Sequence, residues 1–427
     1  MNPAVVSVIT LLVCLAIKVP VFVAILAGSL LYFVLTPGLP SLIFAQRITS
    51  GIESIPLLAV PFFVGLGAFM NHTGVSQRVL DFCTLIVGRM TGGLAQVNVM
   101  LSMLMGGMSG SALADAAMSA KILVPEMERK GYTKEFSSVV TASSAMITPL
   151  IPPSIGMILY GSIANVSIAR LFIAGIGPGI LLCIALMILV RLISKKRDYK
   201  PIRTEPLVKG ELWSASKKAF LPFCLPVVII GGIRFGVFTP SEAGSVAVVY
   251  AIVLGLLYRE MTLEKFFISI KETVLSTAGI MLIVGAASSL AWVLTREQIP
   301  QAITQIIVNS IDSKYVFLIA VNIFLLTIGM FIEGNALMLI LVPILAPVAQ
   351  AYGINEIQFA MTFIFNMSIG AITPPVGTLM FITCSITKCQ TKGFIKEALP
   401  FYILLLTCLM LITFVPFITL GLVNLVF

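Results

Sequence analysis

Two passages of this chain set glycines, hydroxyls and an amide inside otherwise apolar sequence: Gly106-Gly-Met-Ser-Gly110-Ser111, and Gly329-Met-Phe-Ile-Glu333-Gly334-Asn335. A glycine-rich run unwinds a helix and leaves backbone carbonyls without intrahelical partners. In lipid such groups persist only when protein or a polar cavity receives them. Freed carbonyls beside hydroxyls are hard oxygen ligands suited to a bare alkali cation, and the N-termini of the resumed half-helices favour an anionic group. Downstream of each break lies a proline-rich passage, Ser144 to Pro153 (SAMITPLIPP) in the first case and Gly370-Ala-Ile-Thr373-Pro-Pro375 in the second. There a threonine hydroxyl sits near carbonyls that prolines, which lack an N–H, cannot satisfy. The same small residues also suit close helix packing. Their duplication, each break paired with a proline pair, favours the ligand reading.

Ionisable residues are few at these places. Asp115 and Glu333 are acids beside apolar breaks, where an ionised carboxylate is costly and commonly functional. Asp115 fits a site role or the capping of a resumed helix equally well. His72, the only histidine, lies in Asn71-His-Thr-Gly74 at the end of a hairpin and reads as a surface residue in preference to a proton relay. Arg296, in Leu294-Thr-Arg296-Glu297, can either meet a substrate carboxylate or anchor at an interface. One histidine, no paired metal-ligand spacing and no serine–histidine arrangement leave little for catalysis, so an enzyme is not expected.

The elements that must position these groups are membrane helices. The chain has 427 residues, 59% hydrophobic and 11% charged, with a mean hydropathy of +1.08; soluble domains carry about a quarter charged residues. Runs such as 176–190, 243–257 and 401–427 reach, with their flanks, the roughly 20 residues a span requires. The first run, broken only by Lys18, lacks the form of a cleaved secretory signal and is expected to stay attached. The seven cysteines show neither metal spacing nor a disulfide framework. Of the net charge of +9, residues 191–218 contribute +6. A basic loop between membrane segments is a positive-inside signal, so this loop is expected in the cytoplasm, and nucleic acid is not an expected partner.

That loop divides two halves that share an ordered set of pieces. Gly110-Ser-Ala-Leu113, Ile122-Leu-Val-Pro125, Pro152-Pro153 and Phe172 are answered by Gly334-Asn-Ala-Leu337, Ile340-Leu-Val-Pro343, Pro374-Pro375 and Phe394. Upstream, Ser54 to Pro61 and Gly285 to Ser289 interrupt apolar stretches and predict helical hairpins that enter part-way and turn back. Candidate substrate contacts are therefore Ser54, Pro56, Ser109, Gly110, Ser111, Ser288, Ser289, Arg296, Glu333 and Asn335. The expected fold is an all-α polytopic membrane protein with two internal repeats, hairpins and discontinuous helices. Its parts are an N-terminal scaffold helix (1–36), a first repeat (37–190), the basic loop (191–218), scaffold helices (219–258), a second repeat (259–400) and a C-terminal transmembrane helix (401–427).

The passages Ile55-Pro-Leu-Leu-Ala-Val-Pro-Phe62, Met108-Ser-Gly-Ser-Ala-Leu-Ala-Asp115, Gly236-Val-Phe-Thr-Pro-Ser-Glu-Ala243 and Gly370-Ala-Ile-Thr-Pro-Pro-Val-Gly377 resemble the large membrane subunit of tripartite ATP-independent periplasmic (TRAP) transporters, over nearly the whole chain. The resemblance implies a bacterial inner-membrane, sodium-driven importer of carboxylates, of the C4-dicarboxylate or sialic acid type, that works by an elevator movement. It also implies a small four-helix membrane subunit, here expected as a separate chain, and a soluble periplasmic substrate-binding protein. Carried over residue by residue, it places one sodium site at Gly329, Gly370, Thr373 and the backbone of Val376. Internal symmetry points to Gly106, Ser144 and Thr148 for a second. A stand-alone sodium-coupled anion symporter that needs no binding protein is the alternative.

Overall fold

A computed structural model describes residues 3–17, 19–204 and 210–427. Lys18, Glu205 and Lys209, which entered the reading of the first apolar run and of the basic loop, lie outside the described residues. Within them the chain is helical throughout. Six helices are long and apolar enough to cross a membrane, and two bent helix pairs raise the count to eight.

The chain opens with α1 (Pro3–Ala16) and α2 (Val21–Leu35), two helices where one was expected. Pro20 stands just before α2 and has no N–H to continue a helix. The two pack antiparallel: a Cβ on Gly28 would come within 2.8 Å of the Ser7 carbonyl, and Ala4 clusters with Tyr32 and Phe33. Next come α3 (Ser41–Ile52), a 3₁₀ turn at Ile55–Leu58 and α4 (Ala59–Met70), bent by 53° as a pair. After α5 (Val75–Val87) the first broken helix is α6 (Gly93–Ser109) followed by α7 (Ala112–Arg129). Helix α8 (Lys134–Ser144), a 3₁₀ turn over Ala145–Leu150 and α9 (Ile155–Ala164) carry the first proline pair, and α10 (Ile168–Lys196) closes the half.

The second half starts with α11 (Glu211–Arg234) and α12 (Pro240–Leu257), followed by the 34-residue α13 (Leu263–Arg296). Short α14 (Ile299–Ser310) precedes the second broken helix, α15 (Lys314–Gly329) and α16 (Gly334–Ala351). Then α17 (Glu356–Ile372) and α18 (Thr378–Thr387) flank the second proline pair, and α19 (Thr391–Phe414) and α20 (Pro416–Val426) end the chain. The expected C-terminal helix over 401–427 is thus interrupted at Val415, where Pro416 starts a separate helix. Only 22% of the apolar window of α11 is buried and 33% in α12 and α13, against 50% in α10 and α16. The first three therefore form the outer layer, and the core gathers around α6, α8 and α17.

The structure moves both expected hairpins. Helix α13 runs unbroken through Gly285–Ser289, because nothing there lacks an N–H or demands a non-helical φ. Its small residues instead admit α3: a Cβ on Gly51 would lie 2.3 Å from that of Ser288, and one on Gly285 2.9 Å from Ile52. The Ser54–Pro61 stretch is a 53° bend between α3 and α4, and a turn at 71–74 follows α4. Left-handed Gly74 (φ 69°) starts α5, and left-handed Gln298 (φ 53°) starts α14 in the same way.

The repeat holds, with a changed register. Gly131 and Gly353 (both positive φ), the N-caps Thr133 and Asn355, and the cis pairs Pro152-Pro153 and Pro374-Pro375 are all 222 residues apart. By that spacing Pro125 corresponds to Pro347, not to Pro343, and the N-cap Ser111 of α7 corresponds to the N-cap Glu333 of α16. The similar tetrapeptides at Gly110 and Gly334 are therefore two residues out of step.

Candidate functional site

Each break ends in a helix N-terminus whose first amides need acceptors. Ser111 Oγ accepts from the amide of Ala114 at 3.4 Å, and a Glu333 carboxylate oxygen accepts from that of Ala336 at 3.0 Å. The cis proline pairs deliver two more N-termini, those of α9 and α18. All four helices present their opening residues to one small cavity of about 120 Å³, through Ser111, Ser154, Glu333 and Thr378 among others. A larger cavity of about 730 Å³ shares Ser111, Glu333 and Asn335 with it and extends past Asn71 and Ser109 to Glu272 and Ser276 of α13. Four helix N-termini thus converge on the narrow end, where the Glu333 carboxylate caps one of them and no basic side chain lines the wall.

Beside this cavity each half has a polar junction. In the first, Thr148 Oγ1 donates to Asp115 Oδ2 at 3.3 Å while Asp115 Oδ1, buried, has no partner. A Cβ on Gly106 would lie 3.0 Å from Thr148 Cα, so the glycine lets the 3₁₀ turn approach the break. Ser144 Oγ donates to Asn98 Oδ1 and receives Ser102 Oγ, both at 3.1 Å. In the second, a Cβ on Gly370 would come within 2.7 Å of the carbonyl group of Gly329. The Val376 amide donates to the Met330 carbonyl at 3.1 Å, which ties the proline loop to the break. Thr373 Oγ1 donates to the Ile369 carbonyl at 2.7 Å, which uses its proton and not its acceptor lone pairs. Eight residues before each proline pair stands a polar residue on an asparagine of the opposite helix: Ser144 on Asn98, and Asn366 on Asn322 (Nδ2 to Oδ1, 2.9 Å).

Of the substrate candidates, Ser109, Gly110, Ser111, Glu333 and Asn335 line the cavities. The other five do not. Ser54 and Pro56 lie at the α3–α4 bend, which is seated on α12 through Ser241 Oγ and the Ile55 carbonyl (3.1 Å). Ser288 packs on α3, Ser289 is buried in α13, and Arg296 lies over the Trp292 ring at 5.3 Å. These were attached to a hairpin break that α13 does not make. The sodium candidates fall into two groups, Gly106, Ser144 and Thr148 in one half and Gly329, Gly370, Thr373 and Val376 in the other. Among them the Gly106 carbonyl accepts from the Gly110 amide at 3.2 Å. Sequence reasoning missed Asn98, Ser102, Asn322, Asn366, Ser154 and Glu272. The signal was present for the three asparagines, which are polar groups inside apolar runs.

The comparisons agree with this architecture. Residues 8–418 match the family model described as the tripartite ATP-independent periplasmic transporter, DctM component. The sialic acid TRAP transporter large permease protein SiaM of Vibrio cholerae is 39% identical over 402 residues, 94% of either chain. The C4-dicarboxylate TRAP transporter large permease protein DctM of Pseudomonas aeruginosa is 38% identical over 402 residues, 93% of each. A crystal structure of the YdaH transporter of Alcanivorax borkumensis shares the fold at a TM-score of 0.65 and 14% identity, covering 99% of both chains. The relatives are transporter permeases and no enzymes, and the chain is a multi-pass inner-membrane protein like them. With two broken helices around a shared cavity and a match along almost its entire length, the chain belongs to the DctM family of TRAP transporter large permease subunits.

Proposed function

We propose that this permease imports a small carboxylate, driven by sodium, and that a periplasmic binding protein delivers the substrate to a complex of this chain with a small membrane subunit. The observation that carries the reading is the meeting of four helix N-termini at one cavity, flanked by two oxygen-rich junctions. The dipoles suit a carboxylate. Asp115 Oδ1, the Thr148 and Thr373 hydroxyls and the carbonyls around Gly329 and Gly370 are hard oxygens of the kind a sodium ion takes. The partners rest on family membership, in which the named relatives are large permeases of sialic acid and C4-dicarboxylate TRAP transporters. Alternating access would come from an elevator movement of the broken-helix core against the outer helices.

The test is uptake into proteoliposomes holding the membrane complex, with and without an inward sodium gradient and a candidate binding protein. Uptake is expected only with both, and ATP is expected to have no effect. Undiminished uptake in sodium-free vesicles energised by a proton gradient would overturn sodium coupling. Equal uptake without the soluble protein would favour a stand-alone symporter.

A further inference from the structure

Each broken helix carries a buried asparagine about two helical turns before its glycine break, Asn98 before Gly106 on α6 and Asn322 before Gly329 on α15. Their partners, Ser144 and Asn366, are buried too and stand 222 residues apart, the spacing of the repeat. In the first half Ser144 Oγ donates to Asn98 Oδ1 and accepts from Ser102 Oγ, while Asn98 Nδ2 donates to Thr141 Oγ1 at 2.7 Å. In the second, Asn366 Nδ2 donates to both the side-chain and the main-chain oxygen of Asn322, at 2.9 and 3.1 Å. Only the donor end of Asn366 is used, since its Oδ1 has no partner. Asn322 Nδ2 is braced in turn on Thr413 Oγ1 of α19 at 3.0 Å, and Gln358 Nε2 donates to the Thr413 carbonyl at 2.7 Å.

The oxygens of each proposed cation site come from two segments, a glycine break and a proline loop, so the site exists only when the two stand at one height. Apolar contact between membrane helices fixes height poorly, because a slip of one turn, about 5.4 Å, returns a similar surface. A polar pair does fix it, as a single asparagine does in a coiled-coil seam: any other register leaves an amide unpaired in an apolar interior. We infer that Asn98 with Ser144, and Asn322 with Asn366, are positioning residues that hold each proline loop level with its glycine break and thereby set sodium affinity at the two junctions. This rests on the sodium reading above. It assigns Ser144, whose hydroxyl is engaged as donor and as acceptor, to positioning, and leaves the ion to Thr148 about one turn further on.

The test is thermal unfolding of the purified membrane complex as sodium chloride replaces choline chloride at constant ionic strength. Ligands that bind the folded state raise Tm, so the titration reports sodium affinity without a substrate. Two variants remove the pairs. In Asn98→Leu the Thr141 and Ser144 hydroxyls keep the Ser137 and Thr141 carbonyls, at 2.8 and 3.1 Å, and Asn322→Leu combined with Asn366→Leu replaces both amides by apolar groups of similar size. Each variant is expected to need roughly ten- to hundredfold more sodium for the same rise in Tm, the range for loss of an outer-shell partner at a metal site, with Tm in choline near that of the wild type. Tyr250→Phe, which removes a 2.7 Å hydrogen bond to the Leu221 carbonyl in the outer layer, should titrate like the wild type. Wild-type titration in both pair variants, or collapse of the fold in choline in both, would overturn the inference and leave sodium coupling standing. A wild-type Tm that sodium does not raise would bring down the sodium reading itself, and this inference with it.

Discussion

A hydroxyl can hold a cation, cap a helix or do both, and the threonines here separate the roles. Thr373 and Thr148 sit in the proline-loop junctions, whereas Thr239 caps α12 in a reciprocal pair with Glu242 (Thr239 amide to Oε2, 2.8 Å). On the proposed sodium site, Thr373→Ala removes one ligand oxygen and leaves apolar packing untouched. Losing a group worth about 1.5–3 kcal/mol predicts a roughly ten- to hundredfold weaker apparent sodium affinity. Thr148→Ala is expected to act likewise in the other half, with added instability because Asp115 loses its hydroxyl partner. Thr239→Ala should cost about 1 kcal/mol of stability through the lost cap and leave the sodium curve in place. Uptake against sodium concentration for the three variants at matched protein levels checks this. An unmoved curve in Thr373→Ala would remove that site from the proposal.

Between elements the decisive contacts are glycine approaches. Helices α15 and α17 meet where Gly370 faces Gly329, so Gly370→Ala forces a methyl against backbone that has no rotamer to yield. Overpacking of about 1–3 kcal/mol is expected, with a lower Tm and loss of sodium-coupled uptake. Gly231→Ala, on outer helix α11, meets nothing within 4 Å and should be neutral or stabilising by up to about 1 kcal/mol. The α3–α13 contact gives a second case: Ser288→Leu should lower Tm through Gly51 without moving the sodium curve, since this pair lies outside both cavities. Thermal unfolding of the detergent-solubilised complex reads all three variants. A drop in Gly231→Ala as large as that in Gly370→Ala would show that glycine approach is not what orders these helices.

Across the whole molecule, the wide cavity lies between the broken-helix core and α13, with Ala114 on one wall and Ser276 on the other. An elevator movement must change that separation. A bifunctional thiol cross-linker joining Ala114→Cys to Ser276→Cys is therefore expected to stop uptake, with activity returning when a cleavable linker is reduced. Five of the seven native cysteines are buried, which favours selective labelling of the new pair. Full uptake with the bridge in place would argue against relative movement of the two walls. The loop after α10 also bridges the halves outside the cavity: its Arg197 contacts Glu397 of α19 at 2.7 Å, and its Tyr199 stacks on Tyr132, between α7 and α8, at 4.2 Å. The Arg197–Glu397 pair is partly exposed, so Glu397→Gln should cost no more than about 1 kcal/mol.

Composition, the apolar runs and the two glycine breaks with their proline pairs determined by themselves that this is a duplicated membrane transporter, because lipid permits a spanning chain few solutions and broken helices fewer still. Those features are local, and a sequence displays them directly. What only the tertiary structure decided was which breaks are real and what they face. Gly285–Ser289 reads like an interruption yet is a packing surface, since small residues serve both ends and only the presence of α3 selects one. Ser111 and Glu333 are equivalent although the neighbouring tetrapeptides suggest a register two residues away. The partnership of Thr148 with Asp115, and the place of Glu272 on the cavity wall, join residues 33 and more positions apart. Such meetings depend on helix crossings fixed by close approach at single glycines, and no periodicity along the chain encodes them.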